Sequence, residues 1–264
     1  MQKRLSDKSI EEIEKQLKRY YSKSMKRVIE DFEATYDKLL ATLKKDKEPT
    51  PADLYNLDKY WKMQAQLREE LQKLGEKEIV LLSKKFEETW VDIYNSVALK
   101  SQTAYNTVDS SLVQEMINSV WCSDGKTWSQ RVWDNTERLA QTLNDGLIDC
   151  VVTGRRATDL KNILQERFDV SYSRADTLVR TEIAHIQVQA ASKRYEDFGL
   201  EYYEILGREE HEIGCDCKKM DGKKVKLSEM RIGVNAPPFH PRCRCDIMPV
   251  VGNGELVITD NKKK

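Results

Sequence analysis

No proline lies between Pro51 and Pro237, and only four of the 11 glycines, Gly75, Gly125, Gly146 and Gly154, precede residue 199. Proline removes a backbone donor and clashes with the preceding turn, and glycine supplies the positive φ values that end helices. A chain with so few breakers over residues 1–198 is predicted to be helical there. The other seven glycines and four of the six prolines crowd into residues 199–264, which predicts turns and short strands. Four of the six cysteines and two of the three histidines fall in the same stretch, so any chemistry should sit there.

The helical part divides at its own punctuation. Ile10, Ile13, Leu17, Tyr20, Val28, Phe32, Tyr36, Leu39 and Leu43 recur at mostly three- and four-residue spacings, predicting a helix over 6–47. Thr50-Pro51-Ala52-Asp53 writes a second start, with Pro51 at the first helical position and Asp53 reaching back. Its seam runs through Leu54, Leu57, Trp61, Leu67, Leu71 and Leu74, and Gly75 is expected to loosen or end it. A third run carries Ile79, Leu82, Phe86, Trp90, Ile93 and Val97. These three are material for an antiparallel bundle or coiled coil.

Shorter helices are expected from Asp109, from Thr127 to about Gly146, and over 158–168, and a long one from Ser173 to Gly199. The period then turns strand-like at 200–206, 223–227, 246–250 and 255–259.

Lys plus Arg and Asp plus Glu each number 44, so the formal charge is zero, which argues against a polyanion-binding role for the whole chain. No apolar run approaches the ~18 residues that a bilayer-spanning helix needs. The charged residues after Arg4 do not make a signal peptide, and the expected location during synthesis is the host cytoplasm.

Cys215-Asp-Cys217 and Cys243-Arg-Cys245 form two C-x-C pairs, with His240 just before the second. Two such pairs on turns can offer four soft ligands to one tetrahedral zinc, a closed structural site that would staple a module with few large apolar residues. His240 could replace one cysteine or orient its loop by hydrogen bonding. Reduced free thiols and disulfides are the alternatives. Cys122 and Cys150 stand alone and are expected to be packing residues. His211-Glu212 lacks the second histidine of a zinc protease helix, and no phosphate loop, dinucleotide fingerprint or G-x-S-x-G is present. No catalytic residue is assigned. Lys218, Lys219, Lys223, Lys224, Lys226 and Arg231 give the loop between the pairs a basic bias, most simply a solvated surface.

The order Arg180-Thr181-Glu182, Tyr195, Gly199, Asp221-Gly222-Lys223 and Pro238-Phe-His240-Pro241-Arg-Cys243-Arg-Cys245 resembles the phage Mu F-like head morphogenesis (minor capsid) proteins over about residues 135–250. Family members often carry C-x-x-C before D-G-K. Here Cys217 is in register while Gly214 occupies the first position, which sets Cys215 apart from the other three cysteines.

The resemblance implies a minor head protein of a tailed phage or prophage, located in the head interior or at the portal vertex of the virion and sometimes delivered with the DNA. Its implied partners are the portal protein and the major capsid protein, with a possible contact to packaged DNA and none to a membrane. An injected effector with nuclease or transferase activity, using Arg180, Glu182 or His211, is the competing reading. The expected fold is mainly α with a small α+β C-terminal module. Residues 1–106 form a long helical bundle, 107–250 the head morphogenesis domain with its Cys cluster at 215–245, and 251–264 a tail.

Overall fold

A computed structural model describes residues 2–43, 49–97, 109–207 and 216–250. The expected strand at 255–259, the tail and the expected boundary at residue 106 lie outside the described residues. Among the described residues six α-helices come first: α1 (Gln2–Leu43), α2 (Pro51–Tyr55), α3 (Asp58–Ser96), α4 (Ser110–Ile117), α5 (Trp128–Val152) and α6 (Ala157–Asp197). Three short strands follow, β1 (Tyr202–Leu206), β2 (Lys224–Lys226) and β3 (Asp246–Val250). They form one antiparallel sheet in the order β2-β1-β3, with Tyr203 opposite both Val225 and Pro249. The fold class is therefore mainly α with a small α+β module at the C-terminal end. Among the described residues, no helix is long and apolar enough to cross a membrane.

The helix starts follow local chemistry. Asp53 accepts from the Thr50 amide at 2.9 Å and from its hydroxyl at 2.7 Å, and Asp109 accepts from the Ser111 amide at 2.9 Å. Two ends are Schellman turns on left-handed glycines. At Gly199 (φ 70°) the Leu200 amide bonds to the Tyr195 carbonyl, and at Gly154 (φ 63°) the Arg155 amide bonds to Cys150.

Three expected breaks are absent. Gly75 sits inside α3 and Gly146 inside α5 because each is a point of close approach, not a terminus. A Cβ on Gly75 would lie 2.7 Å from the Trp133 ring, and one on Gly146 would lie 2.7 Å from Ile163. The two helices expected at 158–168 and from Ser173 are one, α6, since no glycine or proline interrupts them and Ser173 is simply an exposed helical residue. Gly75→Ala gains about 1 kcal/mol of helix propensity but must displace Trp133. It should destabilise the protein by about 1–2 kcal/mol in urea titration, and become stabilising in a Trp133→Ala background.

Two compact units result, and each takes residues from both sides of position 106. One consists of Glu14–Leu81 and Ser129–Asp176. It is a bundle of segments of α1, α3, α5 and α6, cross-tied by Tyr36 to the Arg155 carbonyl (3.0 Å), Tyr60 to Asn144 (2.8 Å) and Arg27 to Glu70 (3.0 Å). Leu17, Phe32, Leu39, Leu71, Leu143 and Phe168 are among its buried residues.

The other unit consists of Met1–Ile13, Leu82–Trp128 and Thr177–Lys264. Its core joins Val97 of the α3 end, Val188, Ala191 and Tyr195 of α6, and Tyr203, Ile205 and Ile247 of the sheet. Tyr195 donates to the Ile247 carbonyl at 3.2 Å, fixing β3 to α6. This unit holds the cysteine cluster.

Candidate metal centre

The segment 242–247 alternates as a strand does, and the alternation decides which side chains turn inward. Cys243, Cys245 and Ile247 are buried while Arg242 and Arg244 are exposed. Cys217, in a 3-10 turn over Asp216–Met220, joins the two buried cysteines, and Phe239 packs against this cluster. The Cys217 and Cys243 sulfurs are 3.8 Å apart. The donor atoms of Cys217, His240 and Cys243 lie within 4.8 Å of one another, so the group could hold a metal ion. Cys215 and His211 lie outside the described residues.

The sulfurs act on one another's protons. A hydrogen bond from Cys245 pulls the Cys243 pKa down, against the effect of burial. The same bond, together with burial, pushes the Cys245 thiol up. A buried cluster that favours a thiolate on one member is chemically prepared for a cation. His240 is exposed, and its Nδ1 lies 2.8 Å from the Pro241 carbonyl. With the proton on Nδ1, Nε2 keeps the lone pair that a metal requires. No disulfide is formed by Cys122, Cys150, Cys217, Cys243 or Cys245. Cys150 is fully buried, as a packing residue should be.

The three residues of R-T-E, about 100° apart around α6, serve three different neighbours. Arg180 lines a cleft beside Cys243 and Cys245. Thr181 accepts from the Arg242 amide at 3.1 Å, and one turn earlier Thr177 accepts from Arg242 Nε at 2.9 Å. Arg242 needs that support, because its φ of 58° is left-handed and costs a non-glycine residue about 1–2 kcal/mol. Glu182 is 3% exposed, accepts from the Trp121 indole at 3.0 Å, and lies 3.9 Å from His185 Nδ1. His185 stacks on Trp121 at 4.5 Å, and burial lowers its pKa to about 3, so it is neutral. A carboxylate sealed under a tryptophan and a histidine does not meet a substrate, so Glu182 is not placed to act as an acid or base.

D-G-K is equally structural. Asp221 accepts from the Gly207 amide at 2.7 Å, Gly222 takes φ 72° and donates to Ile205, and the Lys223 carbonyl accepts from the Ile205 amide. A side chain at position 207 would collide with Asp221 at 2.8 Å. Thr177, Trp121 and His185 carried no motif in the sequence. A threonine one turn before R-T-E was the available signal for the first of them.

Thr181→Val removes the acceptor for the Arg242 amide and should cost about 1–2 kcal/mol in urea titration, while Thr181→Ser should stay close to wild type.

No curated protein and no solved structure matches the chain. A family model described as Phage Mu protein F like protein matches residues 141–248. That span contains α6, β1, β2, the start of β3, all three motifs and the described cysteine cluster, and over it the chain is similar to the phage Mu F-like proteins.

Proposed function

We propose that this chain is a head morphogenesis protein of a tailed phage or prophage, positioned at the portal vertex or inside the head, and that its role is structural. The carrying observation is that Thr181 and Glu182 of R-T-E, and Asp221 of D-G-K, hold the chain's own segments together. In this reading residues 107–250 are the head morphogenesis domain. Its clip is one zinc ion on Cys217, Cys243 and Cys245, with His240 or Cys215 as the fourth ligand. Three buried sulfurs with a nearby imidazole suit zinc better than a hard cation. The metal would supply folding energy and leave no open position for a substrate.

The helical region of residues 1–106 supplies the partner surface. Tyr21 and Trp90 are buried and do not contribute to it, whereas Trp61 is 55% exposed. Tyr55, Tyr60 and Trp61 pack with ring centroids 5.1–6.1 Å apart along a groove of about 450 Å³. The Trp61 indole donates to the Tyr55 carbonyl at 2.7 Å, so the cluster is held in place before binding. Pre-set aromatics of this kind dominate interface energies, and portal or capsid protein is the partner this reading names.

Mass spectrometry of purified particles should find the chain in the head. Trp61→Ala combined with Tyr55→Ala should reduce co-purification with portal without unfolding the protein. Absence of the chain from particles would overturn the assembly role. Undiminished co-purification would overturn the assigned surface alone.

A further inference from the structure

The cleft beside the cysteine cluster encloses about 740 Å³, within the range of pockets that take small ligands or short peptide segments. Three arginines line it: Arg180 from α6, and Arg242 and Arg244 from the alternating segment around Cys243. Their origins on two elements make this a built convergence and not a run of neighbouring charges. Arg242 is held by Thr177 and Thr181, so part of the arrangement exists before any ligand arrives. Guanidinium groups present planar pairs of donors that match a carboxylate or phosphate.

Two further features choose between those anions. Asp7 and Asp246 also line the cleft, leaving a surplus of one positive charge over three cations and two anions. A nucleic acid strand binds by neutralising many phosphates at once, and a surplus of one is a poor match for it. The rest of the lining carries an apolar wall of Ile10, Ile183 and Leu206 beside the polar Ser6 and Gln187. A phosphodiester backbone has no use for that wall, whereas an acidic side chain flanked by aliphatic ones does.

We propose that this cleft binds a short segment of a partner protein in which a Glu or Asp is flanked by aliphatic residues. The carboxylate pairs with the arginines, and its neighbours cover the apolar wall. This reading is separate from the aromatic groove and does not depend on which metal the cysteines hold.

The test uses the full-length, metal-replete protein and fluorescence anisotropy with three labelled probes. They are the peptide Ala-Leu-Glu-Leu-Ala, its Gln counterpart, and a short oligothymidylate. Saturable binding of the Glu peptide, about tenfold tighter than the Gln peptide, is expected. Arg180→Gln and Arg244→Gln should each weaken it by about tenfold, and Asp7→Asn should strengthen it about threefold. Metal content is measured for every variant. If Arg244→Gln, lying between two cysteines, loses metal, Arg180→Gln and Asp7→Asn decide the matter from other elements. Equal binding of the two peptides, no saturable binding of either, or affinities unmoved by Arg180→Gln and Asp7→Asn would overturn the proposal. Tighter binding of the oligothymidylate, lost in the same variants, would overturn it in favour of a nucleic-acid cleft.

Discussion

Protein purified under reducing conditions without chelator should contain close to one zinc ion per chain, and Cys243→Ser should abolish it. Cys243 is the member to change because it bonds to Cys245, lies 3.8 Å from Cys217, and belongs to the group that includes His240. Structural zinc contributes on the order of 10 kcal/mol to the folding of small modules, more than most single interactions in a domain. Ala236, Leu227 and Ile247 share a core with Tyr195 and Tyr203, so losing the staple between positions 217 and 245 should loosen that core. Hydrogen exchange should rise in β1, β2 and β3 while the amides of residues 129–152 stay protected. His240→Ala and Cys215→Ser then identify the fourth ligand, since the one that matters should lower zinc affinity far more than the other. Well-folded protein with almost no metal would refute the site.

The parts of this molecule legible in the sequence are those governed by local rules. The missing prolines announced helices, Asp53 and Asp109 announced their starts, and Gly199 announced a left-handed end. Gly75 and Gly146 were misread because a glycine needed for a left-handed turn and one needed for close packing are the same letter. The difference lies in Trp133 and Ile163, which are distant in sequence. α6 was divided for a related reason. From Glu182 to Tyr195 it is buried on almost every side, so the amphipathic period that would have shown one continuous helix is weak there.

The cysteines could be singled out because their spacing and chemistry are local. What could not be read was the way R-T-E distributes its three side chains. That depends on Arg242 and Trp121, each about 60 positions away. Thr181 fixes the cysteine loop to α6 and Glu182 fixes the Trp121 segment to it, while Arg180 lines the cleft beside the cysteines.

The bundle unit contains a buried acid, and it should give the protein a stability that falls as pH rises. Glu78 is 1% exposed, and burial raises its pKa from 4.5 to about 7, with a hydrogen bond from Tyr21 at 3.1 Å acting in the opposite direction. Asn135 donates to the Tyr21 oxygen at 3.1 Å and to the Ser171 carbonyl at 3.0 Å, so the chain of polar groups is anchored on α1, α3, α5 and α6. Between pH 4.5 and 7 the unfolded chain releases this proton while the native state keeps it. The native state therefore binds more protons, and its contribution is fully present below about 4.5 and is lost as pH rises through 7. The loss amounts to about 3 kcal/mol. Neutral His185, with its lowered pKa, acts in the other direction, costing stability as pH falls below 6.5 towards 3. Comparing Glu78→Gln with wild type at each pH cancels that contribution. The amide still accepts from Tyr21 and carries no charge to bury. The variant should match wild type near pH 4.5 and exceed it by about 3 kcal/mol at pH 8.5 in urea titration. A stability difference that stays constant across that range would show that Glu78 does not titrate inside the bundle.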